Sequence, residues 1–167
     1  MSKVLRIGLV GCGKMGKNHF RALQELSDCF KLSWVIDPRI SELQLTAPGV
    51  QFGEAVSPEF IKGVDCAVVA TPTDAHFQVC LDLLNAKVPV LVEKPICRNV
   101  EEANTLLTVS QKNSTSLFVG HVERFNPAVE KARQLVKDGF LGQVIHLGAT
   151  RIGRYPSVRS ISNNVLI

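Results

Sequence analysis

The chain has 167 residues, 46% of them apolar and 20% charged, and a formal net charge of +4. That length buries one sizeable core, enough for one domain or for one domain and the beginning of another. Lys and Arg are scattered without a basic run, and no apolar stretch approaches the roughly 20 residues of a membrane span, so nucleic-acid and membrane partners are not expected.

Val4–Val10 reads as a first strand, and Lys14–Leu26 as a helix offering Met15, Phe20, Ala22, Leu23 and Leu26 for packing. Leu32–Ile36 is a second strand that stops at Asp37-Pro38. Gln51-Phe52 reads as a short third strand and Pro58–Lys62 as a short helix. Asp65–Ala70 is a buried strand closed by Thr71-Pro72, and Asp74–Asn85 a helix with Phe77, Val79, Cys80, Leu81, Leu83 and Leu84 inward. Val90–Val92 (strand), Val100–Gln111 (helix) and Leu117–Gly120 (strand) follow, then Pro127–Lys137, a helix with Pro in its first turn and Gly139 past its end. Apolar runs separated by crossover helices describe a parallel sheet covered on both faces. Val144–Ile152 alternates like a strand exposed on one side and is expected to open a second sheet.

Five cysteines, Cys12, Cys29, Cys66, Cys80 and Cys97, form no CxxC pair, and no His stands at metal-ligand spacing. Reduced, mostly structural thiols in a soluble cytoplasmic protein are expected, with no metal site.

The loop Gly11-Cys12-Gly13-Lys14-Met15-Gly16 follows a strand directly and opens a helix. In that setting the first glycine permits a tight turn, the second lets backbone approach a pyrophosphate, and the third lets helix pack on strand. Asp37 lies 21 residues after Gly16, close to the spacing of a carboxylate that accepts from ribose hydroxyls and repels a 2′-phosphate. NAD is therefore favoured over NADP, although Arg39 nearby could accommodate the phosphate. A plain turn ahead of Pro38 is the other reading of Asp37.

Two further segments end strands: VVATPTDAHF (68–77) and VLVEKPI (90–96). With the glycine loop they resemble the glucose–fructose oxidoreductase/inositol dehydrogenase (Gfo/Idh/MocA) family, in order over essentially the whole chain. The resemblance implies an α/β fold, a Rossmann doubly wound parallel sheet, followed by the start of a truncated α+β second domain. It divides the chain into an NAD(P)-binding domain at residues 1–122 and, at 123–167, a connecting helix with the first part of an incomplete substrate domain. It also implies that Thr71, Pro72, Thr73 and His76 line the nicotinamide half of the cofactor groove, that Glu93 approaches the ribose and nicotinamide, and that a cis peptide precedes Pro95.

Lys94 is implied beside the reacting carbon. Oxidising a secondary alcohol removes the hydroxyl proton as hydride leaves carbon, and a partly desolvated lysine near a cationic nicotinamide can accept that proton. A solvated lysine or a salt bridge to Glu93 is the alternative; alternation along a strand would send the two side chains to opposite faces, if the strand reaches that far.

GHVERFNP (120–127) looks most like members acting on nucleotide sugars, particularly UDP-N-acetylglucosamine 3-dehydrogenases. Arg124 is then a candidate for a phosphate or sugar hydroxyl, and Asn126 for the sugar or for capping the helix at Pro127. His121 is read as structural. Arg154, with Arg151 and Arg159, would bring positive charge toward a nucleotide-sugar diphosphate. The family's second-domain Asp-x-x-x-His pattern is absent, and the chain ends about where that helix would begin. The expected activity is NAD-dependent oxidation of a sugar or nucleotide-sugar ring hydroxyl to a ketone, with C3 of UDP-N-acetylglucosamine as the candidate position. An inositol or simple-sugar dehydrogenase and a non-catalytic NAD-binding fragment are the alternatives. The full-length form is expected to be a homo-oligomer.

Overall fold

Strand formation follows the apolar runs: residues 7–10, 34–36 and 67–69 are buried throughout, whereas 51–53 and 117–119, at the two edges of the sheet, are half-buried or exposed. A computed structural model describes residues 3–150 and Ile152. The strands are β1 (Leu5–Val10), β2 (Phe30–Ile36), β3 (Gln51–Gly53), β4 (Cys66–Val69), β5 (Val90–Val92) and β6 (Leu117–Val119). The helices are α1 (Lys14–Glu25), α2 (Pro58–Lys62), α3 (Thr73–Asn85), α4 (Val100–Lys112) and α5 (Pro127–Lys137). All strand pairs are parallel, in the order β3-β2-β1-β4-β5-β6, the doubly wound order in which the chain reverses direction across the sheet beside β1.

The period of two along a strand sends alternate residues into two cores. Val10, Trp34, Ile36, Ala67, Val69, Val90 and Val92 join Cys80, Leu83, Leu84 and Leu106 on one face. Ile7, Leu9, Leu32, Val35 and Val68 join Cys12, Phe20 and Leu23 on the other. Gly8 lies directly against the Trp34 indole: a Cβ there would fall 2.1 Å from the ring. The indole Nε1–H donates to the Phe60 carbonyl at 2.8 Å, so the largest core side chain is anchored at its polar end.

The helix faces differ in part from the apolar pattern. In α1 only Gly16, Phe20 and Leu23 are buried, while Met15 and Leu26 are exposed at the two ends of the helix, beyond the cover of the sheet. In α3 the fully buried set includes His76, which takes a core position beside Cys80, Leu83 and Leu84; Phe77, Val79 and Leu81 are only partly buried. Asn99 caps α4 by accepting from the Glu102 N–H at 2.8 Å. The five cysteines are free thiols, with Cys12, Cys80 and Cys97 buried and Cys29 exposed. Burial, helped by Cys97, pushes the Cys80 thiol up to about 12.

The chain divides into two units, Met1–Gly120 and His121–Ile167. The first holds the whole sheet. The second contains a 3-10 turn at Val122–Phe125 and α5, which Asn126 caps through the Ala128 N–H at 3.0 Å. The strand expected over Val144–Ile152 is not formed at residues 144–150 or at Ile152: among the described residues no second strand pairs with this segment, and a lone strand has no ladder to close. No helix among the described residues is long and apolar enough to cross a membrane.

Candidate active site

Five strands end in step. The residue after each of β2, β1, β4, β5 and β6 donates its N–H to the last residue of the neighbouring strand: Asp37 to Gly53, Gly11 to Ile36, Ala70 to Val10, Glu93 to Val69 and Gly120 to Val92, at 2.7–3.0 Å. The carboxyl edge of the sheet is thus one continuous ledge, and the chain reverses its winding at the middle of it. Ligands of doubly wound sheets bind at such a switch point.

At the centre stands the glycine loop. Gly11 has φ +87°, and a Cβ there would lie 2.6 Å from the Thr71 nitrogen. A Cβ on Gly16 would lie 2.1 Å from the Gly11 carbonyl oxygen, so α1 starts in direct contact with the turn. Around Gly13 there is open space within 4 Å. Helix α1 begins there without a side-chain cap and without an acidic residue in its first turn, leaving its first N–H groups for an external anion. Lys14 and Met15 are exposed on that first turn.

Asp37 is buried, and both carboxylate oxygens accept backbone N–H groups: Oδ2 from Cys12 at 2.8 Å, Oδ1 from Arg39 at 2.9 Å. It therefore serves the turn ahead of Pro38 and also holds the glycine loop. The Cys12 thiol is pushed up, mainly by burial and then by the Asp37 charge. Arg39 itself is exposed.

On the other side of the switch point lie the segments after β4 and β5. The Lys94–Pro95 peptide is cis, as expected. His76 is buried, with Nδ1 2.9 Å from the Pro95 carbonyl and Nε2 2.9 Å from the Thr71 carbonyl. A neutral imidazole has one N–H and donates to one of the two; an imidazolium donates to both. The ring sits between the two loops, with one nitrogen facing the carbonyl of each. Thr71 Oγ1 is buried without a hydrogen-bond partner among the described residues. An orphaned buried hydroxyl costs free energy unless a ligand atom pairs with it. Pro72 is exposed and precedes α3, whose first residue Thr73 is half-buried.

Strand β5 stops at Val92, so Glu93 and Lys94 lie beyond the alternation of the sheet. Glu93 is buried and does not turn to the Lys94 amine: its Oε1 accepts from His19 Nε2 at 2.8 Å, and its Oε2 faces the Lys94 backbone N–H at 3.3 Å. Lys94 is exposed at the ledge. Sequence reasoning missed His19, which carries no local signal: its partner is 74 residues away.

Of the second-unit candidates, Arg124 and His121 are exposed. The Asn126 amide is engaged by its capping contact and by donation to Glu123 Oε2 at 2.9 Å. Arg151, Arg154 and Arg159 lie outside the described residues. Among the described residues no group of three or more His, Cys, Asp or Glu is arranged to hold a metal.

Residues 5–121 match the family described as "Oxidoreductase family, NAD-binding Rossmann fold". The chain is 32% identical to an inositol 2-dehydrogenase of Corynebacterium glutamicum, covering 100% of this chain and 51% of that protein. It is 29% identical to a UDP-N-acetylglucosamine 3-dehydrogenase of Acidithiobacillus ferrooxidans, covering 98% of this chain and 50% of that one. Among solved structures, scyllo-inositol dehydrogenase from Lactobacillus casei with bound NAD(H) and scyllo-inositol superposes with a TM-score of 0.77 at 26% identity, over 84% of this chain and 43% of that one. The chain spans about half the length of the curated relatives it matches.

Proposed function

The chain belongs to the Gfo/Idh/MocA oxidoreductase family, and from that premise we propose that the protein is an NAD-dependent dehydrogenase oxidising a ring hydroxyl of a cyclitol, sugar or nucleotide sugar to a ketone. The observation that carries this reading is the ledge itself, where an uncapped helix, a glycine turn with no room for a Cβ at Gly11, and a buried carboxylate at Asp37 stand side by side.

The fit to NAD rests on groups that the fold leaves unused. The free N–H groups of α1 and the open space at Gly13 suit a pyrophosphate. Each Asp37 oxygen carries one hydrogen bond and keeps a lone pair for a ribose hydroxyl, while its charge disfavours a 2′-phosphate. Cys12, Lys14, Met15 and Arg39 flank these groups, and Thr71 Oγ1, with Pro72, Thr73 and Glu93, lines the nicotinamide side. His76 holds that side in place from the core. Bound NAD supplies the hydride acceptor. Lys94 takes up the hydroxyl proton as the hydride leaves, for which its exposed amine must be unprotonated and free of a carboxylate partner.

Two substrate classes are in play. The GHVERFNP segment supports a nucleotide sugar such as UDP-N-acetylglucosamine oxidised at C3, with Arg124 and Asn126, and Arg154 beyond the described residues, as substrate ligands. The inositol 2-dehydrogenase relative supports a cyclitol. A homo-oligomer in the cytoplasm belongs to the same proposal.

The test has two steps. Titration of this chain with NADH and NADPH, followed by nicotinamide fluorescence, should give tighter NADH binding. Formation of NADH by the full-length protein with UDP-N-acetylglucosamine, myo-inositol and glucose then selects the substrate. Equal failure with all three would sink the dehydrogenase reading and leave a non-catalytic NAD-binding unit.

A further inference from the structure

We propose that His19 is a positioning residue for the Lys94 amine: by binding Glu93 it keeps that carboxylate from pairing with the neighbouring lysine. The inference rests on the reading of Lys94 as proton acceptor, and it assigns a task to a side chain outside the glycine loop and outside the β4 and β5 segments.

A lysine that must accept a proton is poorly served by a carboxylate one residue away, because an ion pair keeps the amine protonated and turned aside. Sheet geometry does not separate the two here, since β5 stops at Val92 and both residues follow it. Something else must hold Glu93, and three contacts do so. His19, on the middle of α1, donates from Nε2 to Oε1 at 2.8 Å. Oε2 turns toward the Lys94 backbone N–H, not its side chain. Gly120, after β6, closes the far side: a Cβ there would sit 3.3 Å from the Glu93 carboxyl carbon, close enough to press on the carboxylate.

The pair is largely sheltered, with side-chain exposures of 22% for His19 and 8% for Glu93. A carboxylate in that position that lost its donor would be unsatisfied and would seek the nearest cation. The flexible four-carbon stem of Lys94 brings that cation within reach. His19 also belongs to the helix whose N-terminus suits the pyrophosphate, so one hydrogen bond joins the cofactor-gripping element to the turn that carries the proton acceptor.

The experiment measures Lys94 acetylation by a water-soluble active ester, read by mass spectrometry against exposed Lys31 in the same chain. Without any cofactor, His19→Ala and His19→Asn should slow Lys94 labelling roughly two- to five-fold, the scale of a partly exposed ion pair. His19→Gln, whose amide still reaches Glu93, should label like wild type. Adding Glu93→Gln to His19→Ala should restore the wild-type rate, which a merely structural loss would not allow. Circular dichroism melting identifies any variant that fails to fold, and His19→Asn then carries the test. Wild-type labelling of Lys94 in both His19→Ala and His19→Asn, or no restoration in the double variant, overturns the proposal. Because this arm needs no cofactor, failure of the wild-type chain to bind NADH overturns the dehydrogenase reading alone.

Discussion

The buried carboxylate of Asp37 accepts the N–H of Cys12 at 2.8 Å, joining the end of β2 to the glycine loop across 25 residues of chain. The same carboxylate accepts from Arg39. One side chain thus shapes the loop and offers its remaining lone pairs at the place where a ribose would lie.

These two tasks separate by substitution. Asp37→Ala leaves the Cys12 N–H unpaired in a buried site, which should cost about 1–3 kcal/mol of stability and weaken NADH binding by about ten-fold or more. Asp37→Asn retains an acceptor for the loop, so stability should stay closer to wild type. It removes the charge that discriminates against a 2′-phosphate, so the preference for NADH over NADPH should narrow. Urea unfolding and fluorescence titration of the same samples read both effects.

The glycines should divide in the same way. Gly11→Ala places a Cβ at a φ of +87° and against the Thr71 backbone, and Gly16→Ala drives one into the Gly11 carbonyl. Each should destabilise by about 2 kcal/mol or more in denaturant melts. A Cβ on Gly13 meets no atom of the described residues within 4 Å, and its φ of −70° suits any residue. The stability of Gly13→Ala should change by less than about 0.5 kcal/mol. If the loop cradles a pyrophosphate, NADH binding should nevertheless fall; unchanged binding in this variant would mean that the loop is only a turn.

Acid stability should depend on Asp65. Arg6 holds its carboxyl well below the usual carboxylate range, through side-chain and backbone hydrogen bonds at 2.9–3.2 Å. A carboxylate with a lowered folded value adds stability above its ordinary unfolded value, near 4, and loses it as the pH falls through the folded value. The melting temperature of wild type should therefore exceed that of Asp65→Asn at pH 6. The gap should close progressively below about pH 4. A gap that stays constant down to pH 2 would show that the ion pair contributes nothing through titration.

Thiol reactivity should follow burial. Cys29 is exposed, whereas Cys12, Cys80 and Cys97 are buried and their thiols are pushed up, Cys80 to about 12. With a chromogenic disulfide reagent at pH 8 the native chain should show a fast phase that Cys29→Ser abolishes. The buried thiols should appear only on unfolding.

The elements of the first unit were legible because each has a short-range cause. Strands β1, β4 and β5 are apolar runs, α2 begins at a proline, and the spacing from Gly16 to Asp37 spans one helix and one strand. The same causes make the glycine loop and Asp37 readable as a candidate cradle. Val144–Ile152 marks the limit: alternation promises a strand, but a strand exists only where another offers its N–H and C=O groups.

What the sequence by itself determined is the set of groups that the backbone demands: glycines where a Cβ would collide, a proline opening a helix, apolar runs of strand length. What only the tertiary structure decided is which of the remaining polar groups meet. His19 finds Glu93 across 74 residues, His76 lies between the Thr71 and Pro95 carbonyls, and the Thr71 hydroxyl has no partner among the described residues. The reason is physical. Periodicity and turn chemistry act within a few residues, whereas these contacts arise because parallel strands paired in the order β3-β2-β1-β4-β5-β6 bring distant strand ends to one ledge.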